Sequence, residues 1–245
     1  MGALLEVVNL SKRFGALQVV EDFSFDVAEG EALGIVGPNG AGKTTLLNLV
    51  AGDIRPDRGA VSLGGENLTK LAAHVRCRRG VGRTAQIPRP FEGLTVFENV
   101  LIGSTFGASG RLPSTPDAAA IDALEQTGML GKANIVAGSL TLLDRKRLEL
   151  ARALATQPRL LLLDEIAGGL TEAEVLELVE TIKQIRTTGV AIVWIEHIVH
   201  ALLRVVDRMM AVDAGRKLIE GDPLAVMASD EVRSVYLGDD IEDES

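Results

Sequence analysis

Apolar and polar residues alternate over Leu4–Val8 and again over Val19–Val27, the two-residue period of half-buried strands. Ala32–Val36 breaks that rhythm with an uninterrupted apolar run, which leads into a glycine-rich turn and then helical spacing from Lys43 to Val50. From Leu94 to about Leu130 the spacing is helical, with loops marked by Gly107, Gly110, Pro113 and Pro116. A helix from about Arg145 to Ala155, an apolar strand Leu160–Leu163, a helix from Thr171 to about Thr187 and an apolar strand Val190–Ile195 then follow in turn. Strands that are apolar along their whole length need cover on both faces, so their alternation with amphipathic helices predicts a largely parallel α/β sheet. One domain is expected over 1–245, with its core in 1–86 and 141–220, a helical insertion in 87–140 and a C-terminal extension in 221–245.

Composition narrows the partners. With 47% hydrophobic residues the 245-residue chain can bury a large core, leaving the acidic tail 239–245 as the segment expected to stay disordered. A net charge of -9 argues against nucleic acid, whose binding rests on Lys and Arg neutralising phosphates. The basic clusters Arg76, Arg78, Arg79, Arg83 and Arg145, Lys146, Arg147 read as solvated helix faces. A single cysteine, Cys77, cannot form an internal disulfide, agrees with a reducing cytosol and reads as a partly buried thiol. The first residues carry no signal-peptide pattern, and no apolar run approaches the roughly 18 residues needed to cross a bilayer. A role at a membrane would therefore require another subunit to hold the chain there.

The segment Gly37, Pro38, Asn39, Gly40, Ala41, Gly42, Lys43, Thr44 fits the pattern G-x-x-x-x-G-K-[ST] between a predicted strand and a predicted helix. Glycines let backbone N–H groups turn inward around phosphates, and a helix N-terminus adds favourable partial charge. Asn39, Gly40, Ala41, Gly42, Lys43, Thr44 and Thr45 are thus candidates for binding ATP, with Lys43 reaching the β- and γ-phosphates and the Thr44 hydroxyl on Mg²⁺. The apolar strand Leu160–Leu163 ends in Asp164 and Glu165. Carboxylates are costly inside a sheet core, so these two are expected at its carboxyl edge, Asp164 on the Mg²⁺ side and Glu165 polarising the attacking water. Taken alone, such a pair also fits a loop or a helix cap.

Between these motifs lies Arg83, Thr84, Ala85, Gln86, which is similar to the Q-loop of ABC ATPases, and Trp194, Ile195, Glu196, His197 is similar to their switch histidine. The ordered set covers nearly the whole chain, and on it the chain resembles the ATP-binding and ATP-hydrolysing subunits of ABC transporters. The resemblance implies a P-loop NTPase fold of ABC type: a largely parallel core sheet, an antiparallel β part and an inserted helical subdomain. It implies that Gln86 senses Mg²⁺ and the attacking water, that His197 contacts the γ-phosphate, and that Phe14 stacks on adenine with Val19 beside the base. An ordinary core position is the alternative for Phe14. His74 and His200 have no such support, and Trp194 reads as core. The implied partners are integral-membrane permease subunits, a second ATPase subunit in a homo- or heterodimer and, indirectly, a solute-binding protein, with the chain at the cytoplasmic face of the membrane.

Thr84, Gln86, Phe91, Leu94, Thr95, Val96, Glu98, Asn99 and Val100, with the stretch from Gly221 to Gly238, resemble the branched-chain amino acid importers. The rival readings are a lipid or lipopolysaccharide exporter and a soluble ABC ATPase of DNA repair or translation, the latter usually carrying coiled coils or tandem cassettes. The chain departs from the family at its signature, where Leu140, Thr141, Leu142, Leu143 and Asp144 replace a glycine-containing loop. Leucine at glycine-specific backbone angles would be strained. The loop after Glu165 departs as well, with Ile166 for the usual proline and Thr171 for the usual closing acid or amide.

Overall fold

A computed structural model of the chain describes residues 2–107 and 115–234. Gly110, Pro113, Tyr236–Gly238 and the acidic tail lie outside the described residues. The chain opens with a hairpin, β1 (Leu5–Phe14) and β2 (Leu17–Val27), then β3 (Ala32–Val36) and α1 (Lys43–Ala51). β4 (Arg58–Leu63), β5 (Glu66–Asn67), α2 (Ala73–Arg79) and β6 (Val81–Arg83) follow. The insertion supplies α3 (Val96–Phe106) and α4 (Pro116–Gln126), both packed on α5 (Leu142–Ala155). The chain returns through β7 (Leu160–Asp164), α6 (Glu172–Arg186), β8 (Ala191–Ile195) and the short α7 (Val199–Leu202). It continues into β9 (Arg208–Asp213), β10 (Arg216–Gly221) and α8 (Pro223–Ala228).

These strands form an antiparallel sheet ordered β2-β1-β4-β5 and a second sheet ordered β10-β9-β3-β8-β7-β6. In the second sheet every pair from β9 to β6 is parallel. The apolar strands are buried on both faces as their sequence demands: Leu160 and Leu162 face α1 and the antiparallel sheet, Leu161 and Leu163 face α5 and α6. Trp194 lies fully buried in β8. Truncating any of these leucines to Ala would cost about 2–5 kcal/mol. Because β3, β8, β7 and β6 run the same way, their carboxyl ends fall along one edge of the sheet.

Several expectations change. Pro116 is the first residue of α4, capped by Thr115, rather than a loop marker. α5 begins at Leu142 rather than near Arg145, because the Thr141 hydroxyl accepts from the Asp144 N–H and caps the helix. Arg76 is buried rather than solvated: its guanidinium donates to the carbonyl oxygens of Leu49 and Val50 at 2.7 and 2.8 Å, satisfying the end of α1. Lys146 is buried too, and Arg83 is drawn into carboxylates.

Candidate active site

The turn between β3 and α1 is forced on its residues by close packing. A Cβ at Gly37 would sit 2.0 Å from the Val212 carbonyl oxygen, and one at Gly42 would sit 2.4 Å from that of Val19. Gly42 has φ 95°, which suits glycine and leaves it as the N-cap of α1. The helices α3, α4, α5 and α6 are capped by threonine side chains, but among the described residues none caps α1. Its first N–H groups therefore stay open to an anion. Lys43 folds back over the turn and donates to the carbonyl oxygens of Gly37 and Pro38 at 2.7 and 2.8 Å. Burial pushes its ammonium below the usual lysine value, while Glu165 and Asp164 pull it back up. Asn39 and Gly40 are exposed, Ala41 is buried, and Thr44 and Thr45 are half-buried.

Opposite Lys43, the end of β7 delivers Asp164 at 1% exposure. Its Oδ1 accepts from Thr44 Oγ1 at 3.4 Å and its Oδ2 from Arg83 Nη2 at 3.3 Å. Burial holds this carboxyl above its usual value, the Arg83 charge opposes that, and Glu165 adds to it. Glu165 follows with φ 47°, a left-handed backbone that costs a non-glycine residue of order 1–3 kcal/mol. Its N–H donates to the Ile195 carbonyl at 2.9 Å, which ties it to β8. Its Oε1 lies 2.6 Å from His197 Nε2, and its Oε2 accepts from Gln86 Nε2. The structure thus brings together Lys43, Thr44, Gln86, Asp164, Glu165 and His197 on one sheet edge.

Sequence reasoning missed the supports of this site. Glu196 is buried and accepts from the N–H groups of Ala167 and His197, and burial pushes its carboxyl up. On α5, Lys146, Glu149 and Arg152 recur every third residue and grip the loop that carries Gln86 by its backbone. Lys146 Nζ donates to the Gln86 carbonyl at 3.3 Å, Glu149 accepts from the Arg89 N–H at 3.0 Å and Arg152 donates to the Arg89 carbonyl at 3.0 Å. Burial lowers the Lys146 ammonium, against the charges of Glu196 and Glu165. The signal was the spacing of charges along a helix with a well-marked apolar face.

Phe14 is half exposed at the end of β1, with Lys12 Nζ 5.6 Å from its ring centroid, so it is not a core residue. Val19 is half-buried and packs on the core. Cys77 is partly buried, and burial pushes its thiol up, which disfavours a thiolate. Ile166 is core and Thr171 caps α6, which accounts for both residues in local packing terms. In the signature segment neither Leu142 nor Leu143 has a left-handed backbone, so the expected strain is absent; both are ordinary first-turn helical residues. Leu140 and Leu143 are buried, Leu142 is exposed, and the Asp144 carboxylate is held by Lys132 Nζ at 2.6 Å.

The profile of the ABC transporter family matches residues 20–168, and its span includes the turn, Gln86, Asp164 and Glu165. The chain belongs to the ABC transporter family. It is 37% identical over 250 residues to the high-affinity branched-chain amino acid transport ATP-binding protein LivG of Salmonella typhimurium, covering 96% of this chain and 98% of LivG. It is 36% identical over 246 residues to the lipopolysaccharide export system ATP-binding protein LptB of Acidithiobacillus ferridurans, covering 98% of each. The ADP conformation of an ATP-binding cassette of an ABC transporter superposes with a TM-score of 0.88 at 26% identity, covering 97% of this chain and all of that one. The chain is accordingly an ATP-binding, ATP-hydrolysing transporter subunit, of a family whose members work with membrane permeases and dimerise. Among its described residues no helix is long and apolar enough to cross a membrane.

Proposed function

We propose that this ABC ATPase powers an importer of branched-chain amino acids or related small solutes. In this reading it dimerises with a second ATPase subunit at the cytoplasmic face of the inner or plasma membrane, beneath permease subunits fed by a solute-binding protein. The catalytic part rests on one observation: both oxygens of Glu165 are engaged, one by Gln86 and one by His197. A general base must meet the water it activates at hydrogen-bond distance. ATP therefore has to free one Glu165 oxygen, and the γ-phosphate does so by drawing His197 and Gln86 toward itself. Lys43 exchanges its two carbonyl partners for phosphate oxygens, the first-turn N–H groups of α1 hold the β-phosphate, and Phe14 stacks on the base. Thr44 and Asp164 offer the hydroxyl and carboxylate oxygens that a hard divalent cation takes together with phosphate oxygens. When bound, Mg²⁺ would neutralise charge on the β- and γ-phosphates.

The docking surface for the permease is a groove of about 360 Å³ between α1, α2, α3 and α5, walled by Ala51, Val81, Ile102, Phe106, Arg83 and Arg152. Phe91 and Phe106, both in the insertion, are exposed, as a partner surface requires. Val96 and Phe97 of the same insertion pack into the core instead and are not part of this surface. Support for import comes from LivG and from the importer-like run Thr84 to Val100. A lipopolysaccharide exporter is the second reading, favoured by the nearly equal identity to LptB. The deciding experiment is purification of the native complex through a tag on this chain, followed by reconstitution in proteoliposomes. ATP-driven leucine uptake in the presence of the co-purified binding protein is expected. Lipopolysaccharide extraction without leucine uptake would replace import by export.

A further inference from the structure

Asp164 ends a core strand where water has little access, and its two oxygens face different neighbours. Oδ1 points to Thr44, the first-turn hydroxyl of α1, and Oδ2 is held by Arg83 from the adjacent strand β6. Arg83 pairs with Leu162 in the parallel register, so its side chain reaches forward along β7 to the carboxylate two residues on. The other arm of the same guanidinium is bound by Asp53, in the loop that follows α1. A planar fork holds two carboxylates at a fixed separation, which the single point charge of lysine cannot do.

We infer that Arg83 is a positioning residue for the magnesium-side carboxylate: anchored on Asp53, it fixes Oδ2 of Asp164 and thereby aims Oδ1 at Thr44 and the metal. This rests on the reading of Asp164 as the Mg²⁺-side acid. Groups that hydrogen-bond a ligating carboxylate orient it, and losing them typically weakens metal binding by about 10–100-fold. Asp53 matters for a second reason. A lone cation beside the site would repel an incoming divalent ion, but the Asp53 carboxylate offsets the Arg83 charge. The opposite possibility, that Arg83 stands in for the cation and competes with it, predicts tighter metal binding once Arg83 is removed.

The test measures Mn²⁺ binding by the disappearance of the free-ion electron paramagnetic resonance signal, with the full chain saturated with AMP-PNP. Nucleotide affinity is measured separately in EDTA. Arg83→Ala should weaken Mn²⁺ binding by about 10–100-fold and leave metal-free nucleotide affinity unchanged. Arg83→Lys should restore part of the loss, and Asp53→Asn, which leaves both Arg83 and Asp164 in place, should give a smaller loss than Arg83→Ala. Asp164→Asn is the reference. If Asp164→Asn loses Mn²⁺ while Arg83→Ala binds it as tightly as the wild type or more so, the inference is wrong and the reading of Asp164 stands. Unchanged binding by Asp164→Asn removes the underlying reading and the role of Arg83 with it. An equal loss of nucleotide affinity in EDTA would make Arg83 merely structural.

Discussion

The charges of Glu165 and Lys43 act on one another, and each group is already satisfied by protein partners: Lys43 by two carbonyl oxygens, Glu165 by Gln86 and His197. Their loss should therefore have different consequences. Lys43→Ala removes the cation proposed to meet the γ-phosphate and should lose productive MgATP binding. Glu165→Gln fills the same space but cannot accept a proton, so binding should persist while steady-state hydrolysis collapses. Fluorescent-nucleotide titration and phosphate release on both variants measure this, and full turnover by Glu165→Gln in the assembled transporter would remove Glu165 from its role. At this scale the motif residues were legible, because the demands on Gly37, Gly42, Lys43 and Thr44 are local to one turn. Arg76, Arg83 and Lys146 were not. A run of charges looks solvated until the carbonyls and carboxylates that receive it arrive from distant segments.

Helix α6 starts where Thr171 and Glu174 form a reciprocal cap: the threonine hydroxyl accepts from the Glu174 N–H, and the Glu174 carboxylate accepts from the Thr171 N–H. Thr171→Ala should cost about 1 kcal/mol in urea unfolding. The same contacts hold the Glu174 carboxyl below its usual value, as Thr95 does for Glu98. A depressed carboxyl contributes stability that is complete above its unfolded value and lost as pH falls through the lower folded one. The wild type should thus lose part of its advantage over Thr171→Ala on acidification, and a difference independent of pH would refute the charged cap. Apolar strands and long helices were legible as elements, whereas short hairpins were not. β4 and β5 meet at Gly64 and Gly65, both with positive φ, and β9 and β10 at Ala214 and Gly215, likewise. Both are two-residue turns with positive φ at each position, the hairpin geometry that a glycine pair between two short strands can signal, but β5 (Glu66–Asn67) is polar and shows no apolar run. The start of α5 was misplaced because Thr141 and Asp144, a cap and its third residue, read as a damaged loop rather than as a helix N-terminus.

The parallel order of the sheet assembles in space what the chain keeps apart, and the convergence of the site was legible only through the resemblance, since no local pattern brings Gln86 to Glu165 or Glu165 to His197. Pairing with a second subunit carries the remaining prediction. The resemblance implies that the signature of one subunit faces the γ-phosphate held by the other. Here that position presents the exposed Leu142 side chain and an Asp144 carboxylate already committed to Lys132. Neither adds attraction for a phosphate. A partner with a glycine-containing signature is therefore expected to complete the site built on Lys43 and Glu165, while the partner's own nucleotide turns over slowly. Inactivating each glutamate in turn in the reconstituted pair checks this; equal losses, or brisk cooperative hydrolysis by this chain alone, would sink the unequal-site reading. The grip of α5 on the Gln86 loop has a consequence for diversification. Lys146, Glu149 and Arg152 hold the loop through main-chain atoms of Gln86 and Arg89, and of the two residues between them Pro88 restricts the backbone itself, which leaves Ile87 as the side chain on which the path does not depend. Ile87, largely exposed, is thus free to be rewritten without disturbing the hydrolytic centre. Exchanging Ile87 for other residues should therefore keep steady-state hydrolysis at the wild-type rate, so the outward surface of this loop is able to diverge while the chemistry beneath it stays fixed.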